Sequence, residues 1–183
     1  MKKNIAKFQK NQTIQWNILL HDIRSIQNVA SIFRMSEIFG VDTIYLSGIT
    51  PGVKDRFNRE REDFIKISLG TENFIKIDTS LQTTSLEESE AHLVKTLKFI
   101  REFKENGGVT IALEQSDNSI DYKKIKINKT EKYLVIPGRE VEGLDKRILK
   151  LCDFVAEIPQ YGQKESLNIF SAMSILVARL FDK

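Results

Sequence analysis

Short apolar runs alternate with longer segments of helical period along this chain, and nothing else in the sequence restricts the fold as much. Helices laid over a mostly parallel sheet produce that pattern, because inner strands are covered on both faces and need few polar positions. The expected fold is therefore α/β, a mostly parallel sheet flanked by helices. Strands are predicted over residues 18–20, 43–46, 64–67, 109–113, 133–136 and 154–158. Between them, residues 28–39 place Val29, Ile32, Phe33 and Ser36 on one side of a helix that Asn28 can cap and Gly40 can end. Residues 86–103 form a second helix, with Leu86, Leu93, Leu97 and Ile100 inward and Glu87, Glu88, Lys95, Lys98 and Arg101 toward solvent. The last helix, 168–181, is apolar around most of its circumference, from Ile169 and Phe170 to Val177 and Leu180. Such a helix needs cover on more than one face, which predicts a subunit interface as well as core packing. Residues 50–61, with Pro51, Gly52 and alternating charges, read as an exposed loop suited to substrate contact or to plain connection.

A length of 183 residues with 41% hydrophobic content suits one domain, 1–183, that needs no disulfide or metal support. Residues 1–16 read as a short basic amino-terminal extension of it. The single cysteine, Cys152, follows an apolar run and reads as a buried small hydrophobe. With no intrachain disulfide possible, no credible secretion signal and no apolar run long enough to span a bilayer, a cytoplasmic protein without membrane attachment is expected. The net charge of +3 identifies no partner by itself. Two lysine clusters, Lys2, Lys3, Lys7 and Lys10, then Lys123, Lys124, Lys126, Lys129 and Lys132, can meet phosphates or simply be solvated. His21 and His92 lie far apart with no companion Cys/His set, so no metal site is expected.

Three segments carry residues suited to chemistry. PGREVEG, residues 137–143, follows an apolar strand, and its glycines let a ligand approach the main chain. It lacks the Lys and Ser/Thr of a P-loop and the dinucleotide G-x-G-x-x-G, while Glu140 and Glu142 would repel a triphosphate. A positively charged or neutral ligand suits it better, although an ordinary turn has the same composition. IPQYGQKESLNIF, residues 158–170, enters the last helix, where Ser166 and Asn168 can cap that helix or orient a ligand. In residues 23–46, Arg34 falls on a different side from the apolar stripe, as a solvated helix arginine or as a reactive one.

Taken together and in order, these segments resemble the three motifs of the SpoU/TrmH family of RNA 2′-O-ribose methyltransferases, within the SPOUT superfamily. NVASIFRMSEIFGVD is similar to the first, with Asn28 and Arg34 at its characteristic positions. VIPGREVEGLD is similar to the second, with Gly138, Glu140 and Gly143 on its G-x-E-x-x-G core. IPQYGQKESLNIFSAMSI is similar to the third, with Ser166, Leu167 and Asn168 on its S-L-N signature, and KISLGTE resembles the Ser-Gly stretch between. The agreement covers residues 23–176.

The resemblance implies a homodimer with a carboxy-terminal trefoil knot, a rare exception to unknotted topology. It also implies S-adenosyl-L-methionine as cofactor, held among the knot loops by residues at the positions of Leu113, Gly138, Ile158, Ser166 and Leu167. The implied reaction is in-line attack of a ribose oxygen on the sulfonium methyl, which needs alignment and a dry site. The family gives its activation to the arginine at the position of Arg34. An ordinary guanidinium is a poor base, so Arg34 is expected to act with an RNA phosphate, as a perturbed base or by stabilising the developing alkoxide. Asn28 and Glu140 would position Arg34 or the substrate, and Ser166 and Asn168 would complete the pocket. Larger relatives acting on ribosomal RNA often carry an added amino-terminal RNA-binding domain, so the short extension here favours transfer RNA as partner. The alternatives are a ribosomal RNA substrate, a non-catalytic RNA-binding protein on the same fold, and a nucleotide-using α/β enzyme whose phosphate motifs are not found.

Overall fold

The computed structural model describes residues 14–83, 89–140, 142–164 and 166–181. The first lysine cluster and Leu86, Glu87 and Glu88 lie outside them. The described chain runs β1 (Gln15–His21), α1 (Ile26–Phe39), β2 (Thr43–Gly48), α2 (Glu62–Ser68), β3 (Lys76–Gln82), α3 (Ser89–Glu105), β4 (Gly108–Leu113), β5 (Ile120–Asp121), β6 (Lys132–Pro137), α4 (Lys146–Leu151), β7 (Phe154–Glu157) and α5 (Ile169–Phe181). Its strands form one sheet in the order β3-β2-β1-β6-β4-β7-β5. Every pairing in that sheet is parallel, which makes the α/β class plain.

The central strands explain why their sequences look almost wholly apolar. On β1, Ile18 and Leu20 enter one core layer and Leu19 the other; on β6, Tyr133 and Val135 are split in the same way from Leu134 and Ile136. Alternate side chains point to opposite faces of a strand, so a strand covered twice needs an apolar residue at every position. Helices α1 and α5 cover the first face with Val29, Ile32, Phe33, Met173 and Leu176. Helices α3 and α4 cover the second with Leu93, Leu97, Ile100 and Ile148.

Two expectations need correction, and one strand went unpredicted. Residues 64–67 are helical, within α2, and not a strand. Phe64 and Ser68 are its buried residues, one helical turn apart, and Lys66, which a strand would place on their face, is exposed. The strand next in sequence is β3, on the outer side of β2, with side chains only partly buried or exposed. An edge strand with one neighbour and an open face carries no continuous apolar run, which is why KIDTSLQ gave no signal. Finally, Ser25 and not Asn28 caps α1, accepting from the Asn28 amide at 3.2 Å, while Gly40 ends the helix at φ 64°. Asn28 is thereby left inside the first turn with its side chain available for another partner. Residues 50–61 form no helix or strand, only an isolated bridge between Lys54 and Glu60.

Helix α5 starts on Asn168, whose Oδ1 accepts from the amides of Phe170 and Ser171 at 2.9 and 3.3 Å. Ile169, Met173, Leu176, Val177 and Leu180 are buried, and Ile175 stays 37% exposed. Because all strands run the same way, the loops that follow them open on one rim, where α/β sheets hold their ligands.

Candidate active site

Three loops on that rim converge. The Gly138 amide donates to the Leu113 carbonyl at 3.0 Å and the Glu114 amide to the Ala156 carbonyl at 2.9 Å. These bonds carry the sheet ladder past the ends of β4, β6 and β7, so the loops leave the sheet in fixed register. Between them lies a cavity of about 300 Å³. Leu113, Gly138, Ile158, Ser166 and Leu167 all border it, together with Glu140 and Asn168. The residues matched to cofactor contact in sequence are therefore brought around one space, drawn from three separate loops.

The loop after β6 is held open by its neighbours. A Cβ on Gly138 would collide with the Glu114 carboxylate, and one on Gly143, at φ 66°, would lie 2.6 Å from the same group. Glu114 fills the space those glycines leave, accepting from the Leu144 amide at 2.8 Å and the Gln115 amide at 3.0 Å. From the other side, the Arg139 Nε donates to the Gly143 carbonyl at 3.0 Å, and its guanidinium lies 3.7 Å from Asp22 and 3.6 Å from Glu142. Sequence reasoning missed both Glu114 and Arg139. The glycine pair announces that something must approach the backbone, but only the fold identifies it as a carboxylate 24 residues upstream of Gly138.

The three motifs meet in one hydrogen-bonded chain. Asn168 Nδ2 donates to Asn28 Oδ1 at 3.0 Å, and Asn28 Nδ2 donates to Glu140 Oε1 at 3.1 Å. Glu140 Oε1 also accepts from the Ser25 amide at 3.4 Å. Asn168 thus serves twice, capping α5 with its oxygen and ordering Asn28 with its nitrogen. The amide orientation of Asn28 is fixed because one neighbour can only donate to it and the other can only accept.

Arg34 is not part of this assembly. It is exposed on α1, six residues beyond Asn28 and therefore about 9 Å along the helix axis, and it does not line the cavity. Ile38, one turn further on, is 70% exposed. Cys152 is half-buried, and burial pushes its thiol up to about 12, which agrees with an inert packing residue.

The cavity offers a small cationic molecule a coherent environment. Leu113, Ile158, Leu167, Ile169 and Ala172 provide apolar wall, while Glu114, Glu140 and Glu157 place carboxylates around it. The one lining cation among the described residues, Arg139, is already paired with Asp22 and Glu142. The volume lies at the lower end of the ~300–1,000 Å³ range common for small-molecule sites.

A model of the SpoU rRNA methylase family matches residues 15–178. A Borreliella burgdorferi tRNA (guanosine(18)-2′-O)-methyltransferase is 26% identical over 180 residues, covering 98% of this chain and 72% of that protein. A Staphylococcus saprophyticus protein, described only as belonging to the TrmH family of tRNA/rRNA methyltransferases, is 24% identical over 98% of this chain. The chain spans 63% of that relative's length. Among solved structures, the AdoMet-bound rRNA methyltransferase of Sinorhizobium meliloti superposes with a TM-score of 0.72 at 24% identity, covering 94% of this chain and 56% of the other. The A. aeolicus TrmH/SpoU tRNA modifying enzyme gives 0.70 at 19% identity, covering 94% and 75%. At these identities the superpositions speak for the fold.

Proposed function

The chain belongs to the SpoU rRNA methylase family, and from that premise we propose that it is an S-adenosyl-L-methionine-dependent RNA methyltransferase acting on a ribose 2′-hydroxyl, with transfer RNA favoured as substrate. The observation that carries this reading is the Asn168–Asn28–Glu140 chain, which joins the three motif segments at the edge of a cavity walled by apolar groups and carboxylates. The tRNA preference draws on the name of the Borreliella relative, and with it the choice of a ribose oxygen. Family membership also carries the expectation of the trefoil knot around these loops.

When bound, S-adenosyl-L-methionine supplies an electrophilic methyl group on a sulfonium centre. Leu113, Ile158 and Leu167 would exclude water around it, and the backbone at Gly138 permits close approach. The carboxylates of Glu114 and Glu140 favour a cationic donor over the neutral molecule left after transfer, which assists release of the spent product. Asn28, Glu140, Ser166 and Asn168 would hold the ribose at the cavity edge in near-attack geometry. As the 2′-oxygen attacks the methyl carbon and the methyl–sulfur bond breaks, the hydroxyl proton would pass to a substrate phosphate oxygen and on to solvent, with Arg34 stabilising the negative charge that develops on the ribose oxygen. Arg34 is exposed and outside its own chain's cavity, which supports a homodimer in which it would serve the cavity of the second copy.

The test is incubation of the protein with methyl-labelled cofactor and unmodified total RNA, followed by mass spectrometry of the nucleosides. Label on ribose of transfer RNA is the expected result. Label on a base overturns the reaction class, and label in ribosomal RNA reverses only the substrate. Cofactor binding without transfer to any cellular RNA would leave a non-catalytic RNA-binding protein.

A further inference from the structure

The loop that follows β2 has no part in the cavity, yet it is tied into a defined shape on the same rim. Residues 50–61 carry four basic side chains, Lys54, Arg56, Arg59 and Arg61, against two acidic ones. Asp55 ties them into a compact turn. Its carboxylate accepts from the Phe57 and Arg59 amides at 2.8 and 3.0 Å and from the Arg59 Nε at 2.8 Å. Hydrogen bonds from the Arg59 backbone and side chain hold the Asp55 carboxyl down to about 2, so the turn stays tied across the physiological range. The Asp55 amide closes on the Arg59 carbonyl at 2.8 Å, and the Arg61 amide on the Val53 carbonyl at 2.9 Å.

This organisation presents an aromatic ring to solvent. Phe57 is 62% exposed, and the guanidinium carbons of Arg56 and Arg59 lie 4.8 and 5.0 Å from its centroid. Burying such a side chain would contribute about 1.5–3 kcal/mol to folding, so its exposure on a tied turn is not explained by stability. Phe57 borders a groove of about 820 Å³, lined also by Thr50, Lys54, Arg56, Arg61 and Gln82. In it the Arg61 Nε is shielded from water and has no acceptor among the described residues. A shielded cationic donor without an acceptor fits a group that arrives with a negative charge.

The loop is also coupled to the cavity. Thr50 Oγ1 shares its one proton between the Ser47 and Leu20 carbonyls at 2.8 and 3.0 Å and accepts from the Ile23 amide at 3.1 Å, on the segment that leads directly to Ser25 and Asn28. Gln82 Nε2 donates to the Thr50 carbonyl at 2.7 Å from the outer side. Strand β2 is separated from β6 by β1 alone, so the loop leaves the sheet two strand spacings, about 10 Å, from the loop that carries Gly138.

We propose that residues 50–61 form a nucleotide-stacking platform for unpaired RNA, with Phe57 taking the face of a base near the methylated nucleotide and Arg56 and Arg61 meeting its phosphates. Arg56 and Arg59 lie over the ring, and Arg56, which has no tie to Asp55, can swing to a phosphate as a base takes its place on the ring. Since every base has a π-face, such a stack grips single strands with little sequence preference. The turn is already folded, which lowers the ordering cost of binding. This rests on the RNA-methyltransferase reading above.

The test compares the full-length protein with Phe57→Ala, Phe57→Leu, Phe57→Trp and Arg56→Gln variants. The probe is a fluorescein-labelled single-stranded RNA 12-mer, with methyl transfer to unmodified total RNA and cofactor titration measured in parallel. Phe57→Ala and Phe57→Leu are expected to weaken 12-mer binding about tenfold or more, the scale of one lost base stack, while Phe57→Trp retains it. Arg56→Gln should lower the slope of log affinity against log salt by about 0.7, one single-strand phosphate contact. Cofactor affinity and Tm should stay at wild-type values throughout, because Phe57 and Arg56 lie outside the cavity and the core. Wild-type binding by Phe57→Ala, or full retention by Phe57→Leu, overturns the platform while leaving the methyltransferase reading intact. Phe57→Ala that binds the 12-mer normally but shifts the oligomeric state assigns the ring to a protein interface and overturns it equally. A wild-type protein that neither binds the strand nor transfers methyl to RNA removes both readings.

Discussion

The rim of this sheet has two chemically opposed ends. Around β4, β6 and β7 the loops border a cleft with apolar walls and the carboxylates of Glu114, Glu140 and Glu157, with Arg139 the one basic residue in its lining among the described residues. Around β2 the loop is open and basic, with Lys54, Arg56, Arg59 and Arg61 beside an exposed ring. A cleft where three carboxylates outnumber one arginine suits a small cation, whereas a surface with four basic side chains suits a polyanion. One parallel sheet can offer both because each strand delivers its own loop to the same side. The junction is β1, whose exit leads into Ser25 and Asn28, and it is there that a donor from one side and an acceptor from the other would meet. Arg34 belongs to neither end within its own chain.

The sharpest way to break this division is Arg34→Ala. If Arg34 of a second copy completes the cavity, methyl transfer should fall about 10²–10³-fold, the scale of losing one alkoxide-stabilising donor, with cofactor affinity and Tm unchanged. A mixture of Arg34→Ala chains with chains disabled in the cavity by Asn168→Ala should regain part of the activity through heterodimers. Full turnover by Arg34→Ala would leave the cavity end to work alone. Next in size is Glu114→Ala. It removes the group that fills the space beside Gly138 and Gly143 and leaves the Leu144 amide without its acceptor. Cofactor binding, read by calorimetry, should weaken about tenfold, consistent with ~1–3 kcal/mol for an orphaned donor, while 12-mer RNA binding is kept. Equal loss of both would show that the two ends are not separable.

Much of this was legible in the sequence, for identifiable reasons. Inner strands β1, β4 and β6 announce themselves because two covered faces demand unbroken apolar runs, and α1 does so because Val29, Ile32 and Phe33 keep helical spacing up to Gly40. Strand β3 is silent because an edge strand buries little, and residues 64–67 read as a strand because a four-residue run is too short to separate a strand from one helical turn. In the cavity, Gly138, Ser166 and Asn168 are visible because they recur in ordered motifs. Glu114 is not, since a glutamate at a strand end is ordinary until the fold sets it against two glycines. The identity of the α1 cap turned on Ser25 and Asn28 both being suitable residue types, a choice that only backbone geometry resolves.

The junction can be probed through Asn28. Asn28→Ala cuts the link between Asn168 and Glu140, and the Asn28→Ala, Asn168→Ala double-mutant cycle should return a coupling of about 0.5–3 kcal/mol in stability, as for side chains sharing one hydrogen-bond network. Additive effects would mean that the two motifs touch without supporting one another.

The smallest expected effect lies just beneath the junction, at the end of β1. His21 is 3% exposed, its Nδ1 stands 3.0 Å from Ser47 Oγ, and its Nε2 stands 3.3 Å from Asp22, which in turn faces Arg139. Burial lowers the imidazole below its ordinary value; Asp22 and Asp145 oppose that shift, while Arg139 and His92 add to it. A histidine lowered in the folded state stays neutral there after the unfolded chain has taken up its proton. The stability His21 contributes is therefore complete above about pH 6.5 and is lost as pH falls from there toward the folded value. The slope in that window cannot exceed about 1.4 kcal/mol per pH unit for one proton. Urea unfolding between pH 7.5 and 5 should show the decline in the wild type and a flatter profile in His21→Gln, which cannot take up the proton. Identical profiles would mean that the base of the junction is indifferent to His21. A decline confined to the variant would mean that Asp22 overcomes burial and that the imidazole is held charged.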